Sequence, residues 1–179
     1  MAVATGITIE EFELLPEALA KNKELVNGEL VDVSGNKGAH NRLRDLLISL
    51  LLPLVQERRL GLIVSEQEYE FEENAHGPDV SFIGPDKVHR FNNDRRVQLF
   101  VPDLAVEIVS SSDRFNSLIE KAERYRRCGT KQVWVLEPKT RQAFLFSEEG
   151  QVWMTEDKMF ESKLIPGFSI RLSDLFDGA

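Results

Sequence analysis

Two carboxylates stand where a folded chain ordinarily places apolar residues. In Leu104-Ala105-Val106-Glu107-Ile108-Val109, a period of two puts Leu104, Val106 and Ile108 on one strand face and Ala105, Glu107 and Val109 on the other. A carboxylate midway along so apolar a strand is costly to bury without a cation or hydrogen-bond donors. Asp79 is similar: it follows Pro78 directly and opens the segment Asp79-Val80-Ser81-Phe82-Ile83. Brought together on neighbouring strands, the two acids repel, and a hard divalent cation relieves that repulsion. Mg2+ binds through one or two carboxylates plus waters and phosphate oxygens, so this sparse ligand set suits it, with Mn2+ as a substitute. Spacing alone leaves two plainer alternatives open, Glu107 as an ion-pair partner and Asp79 as a turn former after proline.

Other chemistry-bearing residues are scattered. His40 begins a helical segment soon after an acidic hairpin, where it could contact phosphate or a metal-bound water, or simply hydrogen-bond at the helix end. His76 and His89 fall in polar loops, and three dispersed histidines make no zinc motif. Ser110-Ser111-Ser112-Asp113 offers phosphate donors ahead of a helix or, more simply, a cap from Ser112 or Asp113. Cys128 is the single cysteine, which excludes an internal disulfide and a multi-cysteine zinc site. No nucleophile elbow, phosphate loop or dinucleotide glycine pattern is present, so no nucleotide cofactor is expected.

Certain elements must position these groups. Thr8 with Glu11 three residues later forms a capping box, so residues 8–15 read as a short helix. Asn27-Gly28 between Glu24-Leu25-Val26 and Glu29-Leu30-Val31 is a hairpin turn, since both turn positions tolerate positive φ. Leucines recur at three- and four-residue steps from Leu43 to Leu54, giving a helix over residues 40–59 with a kink expected before Pro53. Residues 62–71 read as one strand, with Tyr69 and Phe71 on one face and Glu68 and Glu70 on the other. Further strands fall at 79–83, 104–109 and 133–136. A helix over 113–128 carries Leu118, Ala122 and Tyr125 on one stripe and is stopped by Gly129. Residues 143–146 and 152–155 make a second hairpin, and the tail, 168–176, is expected to close a sheet edge. Strands followed by strand–helix–strand predict an α/β or α+β fold with a mixed sheet, the helix being a right-handed crossover between parallel strands.

The 179 residues fit one domain, 1–179, without repeats or linkers. Hydrophobic residues at 42% and charged residues at 29% describe a globular chain. Thirty acidic residues against 22 basic give a charge of −8, which excludes a polycation and argues against tight non-specific nucleic-acid binding. An acidic pocket filled by a cation remains compatible, because the ion reverses the local field. Arginines cluster around residues 42–59, 90–96 and 124–127; each cluster is a solvated face unless it borders the acidic cleft, where it would contact phosphate. No apolar run reaches the ~18 residues of a membrane span, and no basic-then-apolar leader opens the chain. A soluble cytoplasmic protein without a membrane partner is expected.

Several segments, taken in order, resemble the Uma-two family. They are Glu24-Leu25-Val26-Asn27-Gly28-Glu29-Leu30, then Pro78-Asp79-Val80-Ser81-Phe82, then residues 103–110 followed by Ser112-Asp113. Lys121, Tyr125 and Gly129 follow, with Val133-Trp134-Val135-Leu136-Glu137-Pro138 and the closing Leu164-Ile165-Pro166-Gly167-Phe168. The likeness runs from Ile9 to Phe176. That family is a large group described as putative restriction endonucleases within the PD-(D/E)XK nuclease superfamily.

The resemblance implies a restriction endonuclease-like fold: a mixed central β-sheet flanked by helices, with N-terminal and C-terminal β-hairpins and Mg2+ at one end. Asp79 corresponds to the superfamily's Asp and Glu107 to its second acid. The lysine expected two residues after that acid is replaced by Val109, which cannot polarise water. Lys121 matches the lysine that the family takes instead from the following helix. On that helix Lys121 lies at the margin of the apolar stripe, with no carboxylate three or four residues away to pair with it. Glu29, with Glu24 as the second choice, resembles the additional N-terminal acid of such sites. The implied mechanism has Asp79, Glu107 and the Ile108 carbonyl holding Mg2+. Lys121 orients the attacking water or stabilises phosphoryl charge, and Glu29 positions a second metal or a water. DNA is the implied substrate, and a homodimer follows because cutting both strands needs two sites. The alternative is a catalytically inactive nuclease-fold binding or assembly protein, supported by the acidic balance, by Val109 and by the lack of an evident DNA-reading element.

Overall fold

The computed structural model describes residues 6–33, 38–110 and 115–179. The capping box forms as expected: Thr8 Oγ1 accepts from the Glu11 N–H at 3.2 Å, and Glu11 Oε2 accepts from the Thr8 N–H at 2.8 Å. It opens α1 (Ile9–Glu13), which buries Ile9 and Phe12. Thr8→Ala is therefore expected to cost about 1 kcal/mol, read as a lower urea midpoint with an unchanged slope. A short α2 (Glu17–Ala20) leads into the predicted hairpin, β1 (Lys23–Val26) and β2 (Glu29–Asp32), where Asn27 and Gly28 take φ of 52° and 80°.

The leucine periodicity becomes α3 (Gly38–Glu57), which runs on through Pro53 and buries Leu43, Leu47, Leu51 and Val55. Residues 62–71 are two strands rather than one, β3 (Leu62–Ser65) and β4 (Glu68–Phe71), and they belong to different sheets. The corner is Glu66, whose φ is 53°; glutamate is not a residue type that announces a left-handed turn, so the alternation on both sides concealed it. Next come β5 (Asn74–His76), β6 (Val80–Ile83), α4 (Pro85–Val88), β7 (Val97–Gln98) and β8 (Leu104–Ile108). His76, read as a loop residue, is thus a buried strand residue. After β8, α5 (Phe115–Arg127) crosses to β9 (Gln132–Glu137), followed by the expected hairpin, β10 (Gln142–Ser147) and β11 (Gly150–Met154). The tail departs from expectation. β12 (Met159–Glu161) and β13 (Ser169–Arg171) form their own ribbon, and α6 (Leu172–Asp177) packs Leu172, Leu175 and Phe176 into the core beside α3. The three- and four-residue spacing of those side chains is helical and outweighed the partial alternation.

Six strands in the order β11-β10-β9-β8-β6-β3 form the central sheet; β8 and β9 are parallel and their neighbours antiparallel. Leu104, Val106 and Ile108 of β8 face the core built on α3, whereas Ala105 faces the core that includes Leu118, Ala122 and Tyr125 of α5. A second sheet, β2-β1-β5-β4-β7, covers Ile9, Phe12 and Leu25. Near the start of β8, Asp103 accepts the Gly84 N–H at 2.7 Å and pairs with Lys87 and Lys131, each at 3.0 Å. At the other end of that strand, Val80 pairs with Val106, so one further step sets Asp79 across from Glu107. No helix among the described residues is long and apolar enough to cross a membrane.

Candidate active site

Where β8 ends and β6 begins, the central sheet opens into a cleft of about 450 Å³. The hairpin supplies one wall, α3 another and α5 a third. Asp79, Glu107, Ile108 and Lys121 line it together with Glu24 and His40.

Asp79 is fixed by both neighbours. Its Oδ2 accepts the Ile108 N–H at 2.7 Å, which ties the start of β6 to the end of β8. Its Oδ1 lies 3.1 Å from His40 Nε2, near the start of α3. Burial opposes a charge on His40, but the hydrogen bond and charge of Asp79 outweigh it and raise the imidazole pKa.

Glu107 sits on the α5 side of the sheet, as its strand period requires. Its Oε1 accepts the Tyr125 hydroxyl at 2.7 Å and faces Lys121 Nζ at 3.0 Å. Lys121 and Tyr125 are four residues apart and so share one face of α5. The Tyr125 ring is held by stacking on Phe71 at 4.0 Å between centroids. Lys121 also donates to Glu24 Oε1 at 2.8 Å, which makes its ammonium a bridge between two acids from distant segments. Burial pushes the Glu107 carboxyl up to about 7; Lys121 opposes that shift, and the Asp79 and Glu24 charges reinforce it. Burial works against the Lys121 charge, yet Glu107 and Glu24 raise its pKa above the usual lysine range. Glu24 is held well below the carboxylate range: burial would raise it, but Lys121 and His76 outweigh that cost. Burial and the Glu107 charge raise Tyr125 far above an ordinary phenol, so its hydroxyl stays a donor.

Three carboxylates therefore line a partly dry cleft, Glu24 and Glu107 sharing the Lys121 ammonium and Asp79 held by His40 and the Ile108 N–H. Such a concentration of negative oxygen donors is the chemistry a hard cation relieves. Among the described residues, no three His, Cys, Asp or Glu side chains form a cage that would hold an ion unaided. Mg2+ does not require such a cage, since it retains waters and accepts one or two carboxylates. The donor set fits it.

The residues singled out in the sequence divide accordingly. Asp79, Glu107, Ile108 and Lys121 come together. Glu29 does not join them: it lies exposed at the start of β2 and is not among the residues lining the cleft. The hairpin acid that reaches Lys121 is Glu24, because β1 rather than the outer β2 pairs with β5. Sequence reasoning passed over His76, Arg124 and the hydroxyl of Tyr125, which read as a loop histidine, a surface arginine and a core ring. The arginine clusters are largely matched by acids. Arg96 holds Glu68 through two bonds of 2.6 and 2.8 Å, Arg127 meets Glu72 at 3.1 Å, and Arg44 pairs with Glu66. Ser111, Ser112 and Asp113 lie outside the described residues.

Comparison with known proteins now places the chain. A sequence profile of the Uma-two family, described as a putative restriction endonuclease, matches residues 9–173. The chain belongs to the Uma-two family. Another protein similar to this Uma-two chain is an uncharacterized protein of Synechocystis sp., sll1609. It is 28% identical over 141 residues, which cover 76% of this chain and 78% of that one. A crystal structure of a putative nuclease from Anabaena variabilis superposes with a TM-score of 0.86 over 96% of this chain and 98% of its own, at 20% identity. At that identity the likeness concerns the fold: the expected mixed sheet flanked by helices is shared between this Uma-two chain and that neighbour.

Proposed function

We propose that this Uma-two protein is a Mg2+-dependent endonuclease that hydrolyses DNA phosphodiester bonds in the cleft between β6, β8 and α5. The observation that carries the reading is the Lys121 ammonium 3.0 Å from Glu107, delivered by α5 where the residue just after β8 is only Val109. Asp79 and Glu107 would hold the ion, with the Ile108 carbonyl as a further oxygen donor. When bound, Mg2+ supplies Lewis-acid polarisation of the phosphoryl group and a more acidic water. Lys121 keeps its proton and has three donors, of which Glu24 and Glu107 take two. The third serves the water or a phosphoryl oxygen as negative charge develops. Glu24 accepts three donors and stays ionised, so its task is to hold Lys121 rather than to take up a proton. Tyr125 orients Glu107. Cutting both strands of a duplex needs two such clefts, and a homodimer supplies them.

A second reading keeps the fold and drops the chemistry: a catalytically inactive binding or assembly protein. It is favoured by the pairing of arginines near the cleft with acids, which leaves fewer cations for phosphates. Calorimetric titration of Mg2+ and Mn2+ into wild type and Glu107→Gln, run beside cleavage assays on duplex and single-stranded DNA, separates the two. Ion binding and cleavage by wild type are expected, with affinity at least about tenfold weaker in the variant and its ion-free melting unchanged. Intact DNA in every form, with no ion bound, overturns the nuclease reading. A large loss of melting temperature in a protein that never bound an ion favours the inactive scaffold.

A further inference from the structure

His76 and Arg124 lie behind the cleft and touch none of the proposed reacting atoms. His76 is 3% exposed, on β5, with Nδ1 2.9 Å from Glu24 Oε2 and Nε2 2.8 Å from Arg124 Nη1. A guanidinium has donors and no acceptor, and it stays protonated in proteins. His76 Nε2 must then be the acceptor in that contact, so the ring's single proton is on Nδ1, where it donates to Glu24. A second proton on the ring would point at the guanidinium. Arg124 is steadied from outside by Glu72, with Nε 3.6 Å from its carboxylate. The other Glu24 oxygen, Oε1, takes the Gly77 N–H at 3.0 Å and Lys121 at 2.8 Å.

From this chain of contacts we infer that Arg124 and His76 are positioning residues: the obligate donor Arg124 fixes the Nδ1–H tautomer of His76, which orients Glu24 and through it the Lys121 ammonium. The inference rests on the reading above for its catalytic consequence, although the tautomer itself does not. Among the described residues, His76 is the donor to Glu24 Oε2, so a ring with its proton on Nε2 would set a lone pair against a carboxylate. Burial also disfavours a charged imidazole here, in keeping with a neutral ring.

The test has two arms on the full chain. Nitrogen-15 correlation spectra of the imidazoles should place the His76 proton on Nδ1 in wild type, and Arg124→Met should shift it towards Nε2. In single-turnover cleavage, His76→Ala should lower the rate by about 10- to 100-fold with KM changed less than about twofold, as expected for lost orientation. His76→Asn, whose amide can donate from near the Nδ1 position, should restore most of that rate. His76→Ala as active as wild type, or His76→Asn no better than His76→Ala, overturns the inference. Cleavage by a wild type whose ring is protonated on Nε2 overturns the relay alone. A wild type that cuts nothing, yet keeps the Nδ1–H ring that Arg124→Met shifts, overturns the nuclease reading and upholds the relay.

Discussion

Lys121→Met should lower single-turnover DNA cleavage by about 100- to 1,000-fold and destabilise the ion-free fold by about 3–5 kcal/mol at mildly alkaline pH. The side chain is only 14% exposed, and its ammonium stands between Glu24 at 2.8 Å and Glu107 at 3.0 Å. Methionine keeps the apolar stem and removes the charge, so packing is little changed while two buried carboxylates lose their shared cation. The protein can relieve that repulsion by protonating Glu107, whose pKa already reaches about 7. The sign of the pH dependence follows. With the folded pKa raised above that of an unfolded carboxyl, the variant is least impaired at acid pH, where Glu107 is neutral. Its deficit grows as pH rises through and beyond that value. Urea unfolding at two pH values on either side reads the difference. A loss of equal size at both would mean that Lys121 acts by packing alone.

Glu107 was conspicuous because a strand is a strict alternation: a carboxylate among Ala105, Val106, Ile108 and Val109 needs a cation or donors. It was the family resemblance, not the spacing, that favoured a paired acid site over a plain ion pair. Lys121 was legible chiefly through the resemblance to the Uma-two pattern. Its place at the margin of the apolar stripe, with no carboxylate on its own helix face, agreed with that but fitted a solvated lysine equally well. Glu24 and Glu29 could not be separated by such local rules. Both flank the same Asn27-Gly28 turn, and the choice between them depends on β1 meeting β5 through Leu25 and Ala75, a contact between distant segments. His76 was hidden in the same way: flanked by Gly77 and Pro78, it looks like a loop residue until Tyr69 of β4 pairs with it. The corner at Glu66 and the helix Leu172–Asp177 were missed because alternation is a weak guide over three or four residues. What the chain hid was therefore the second sheet, and with it the groups that orient the site rather than those that would do its chemistry.

Divalent-ion affinity should rise by about 100-fold between roughly pH 5 and pH 7 and then level off, because a carboxylate ligand must lose its proton before it can bind. Burial, reinforced by Asp79 and Glu24, keeps Glu107 protonated up to about 7 in the ion-free protein. Displacing one proton makes the affinity climb close to tenfold per pH unit below that value. Lys121 and Tyr125 are both raised above the neutral range, so neither contributes to the slope. His40 adds to it in the same sense, since the protonated ring favours the Asp79 carboxylate that the ion would occupy. Ion-free stability runs the opposite way. A raised folded pKa stabilises the protein fully below the unfolded carboxyl pKa, and that stabilisation is lost as pH climbs towards about 7. Bound ion should therefore raise the melting temperature most at the alkaline end. Glu107→Gln removes the largest part of the pH slope while retaining an acceptor for Tyr125. Calorimetric titrations at four or five pH values measure all of this, and a wild-type affinity that stays flat across the window would place the Glu107 carboxylate outside the ion's coordination.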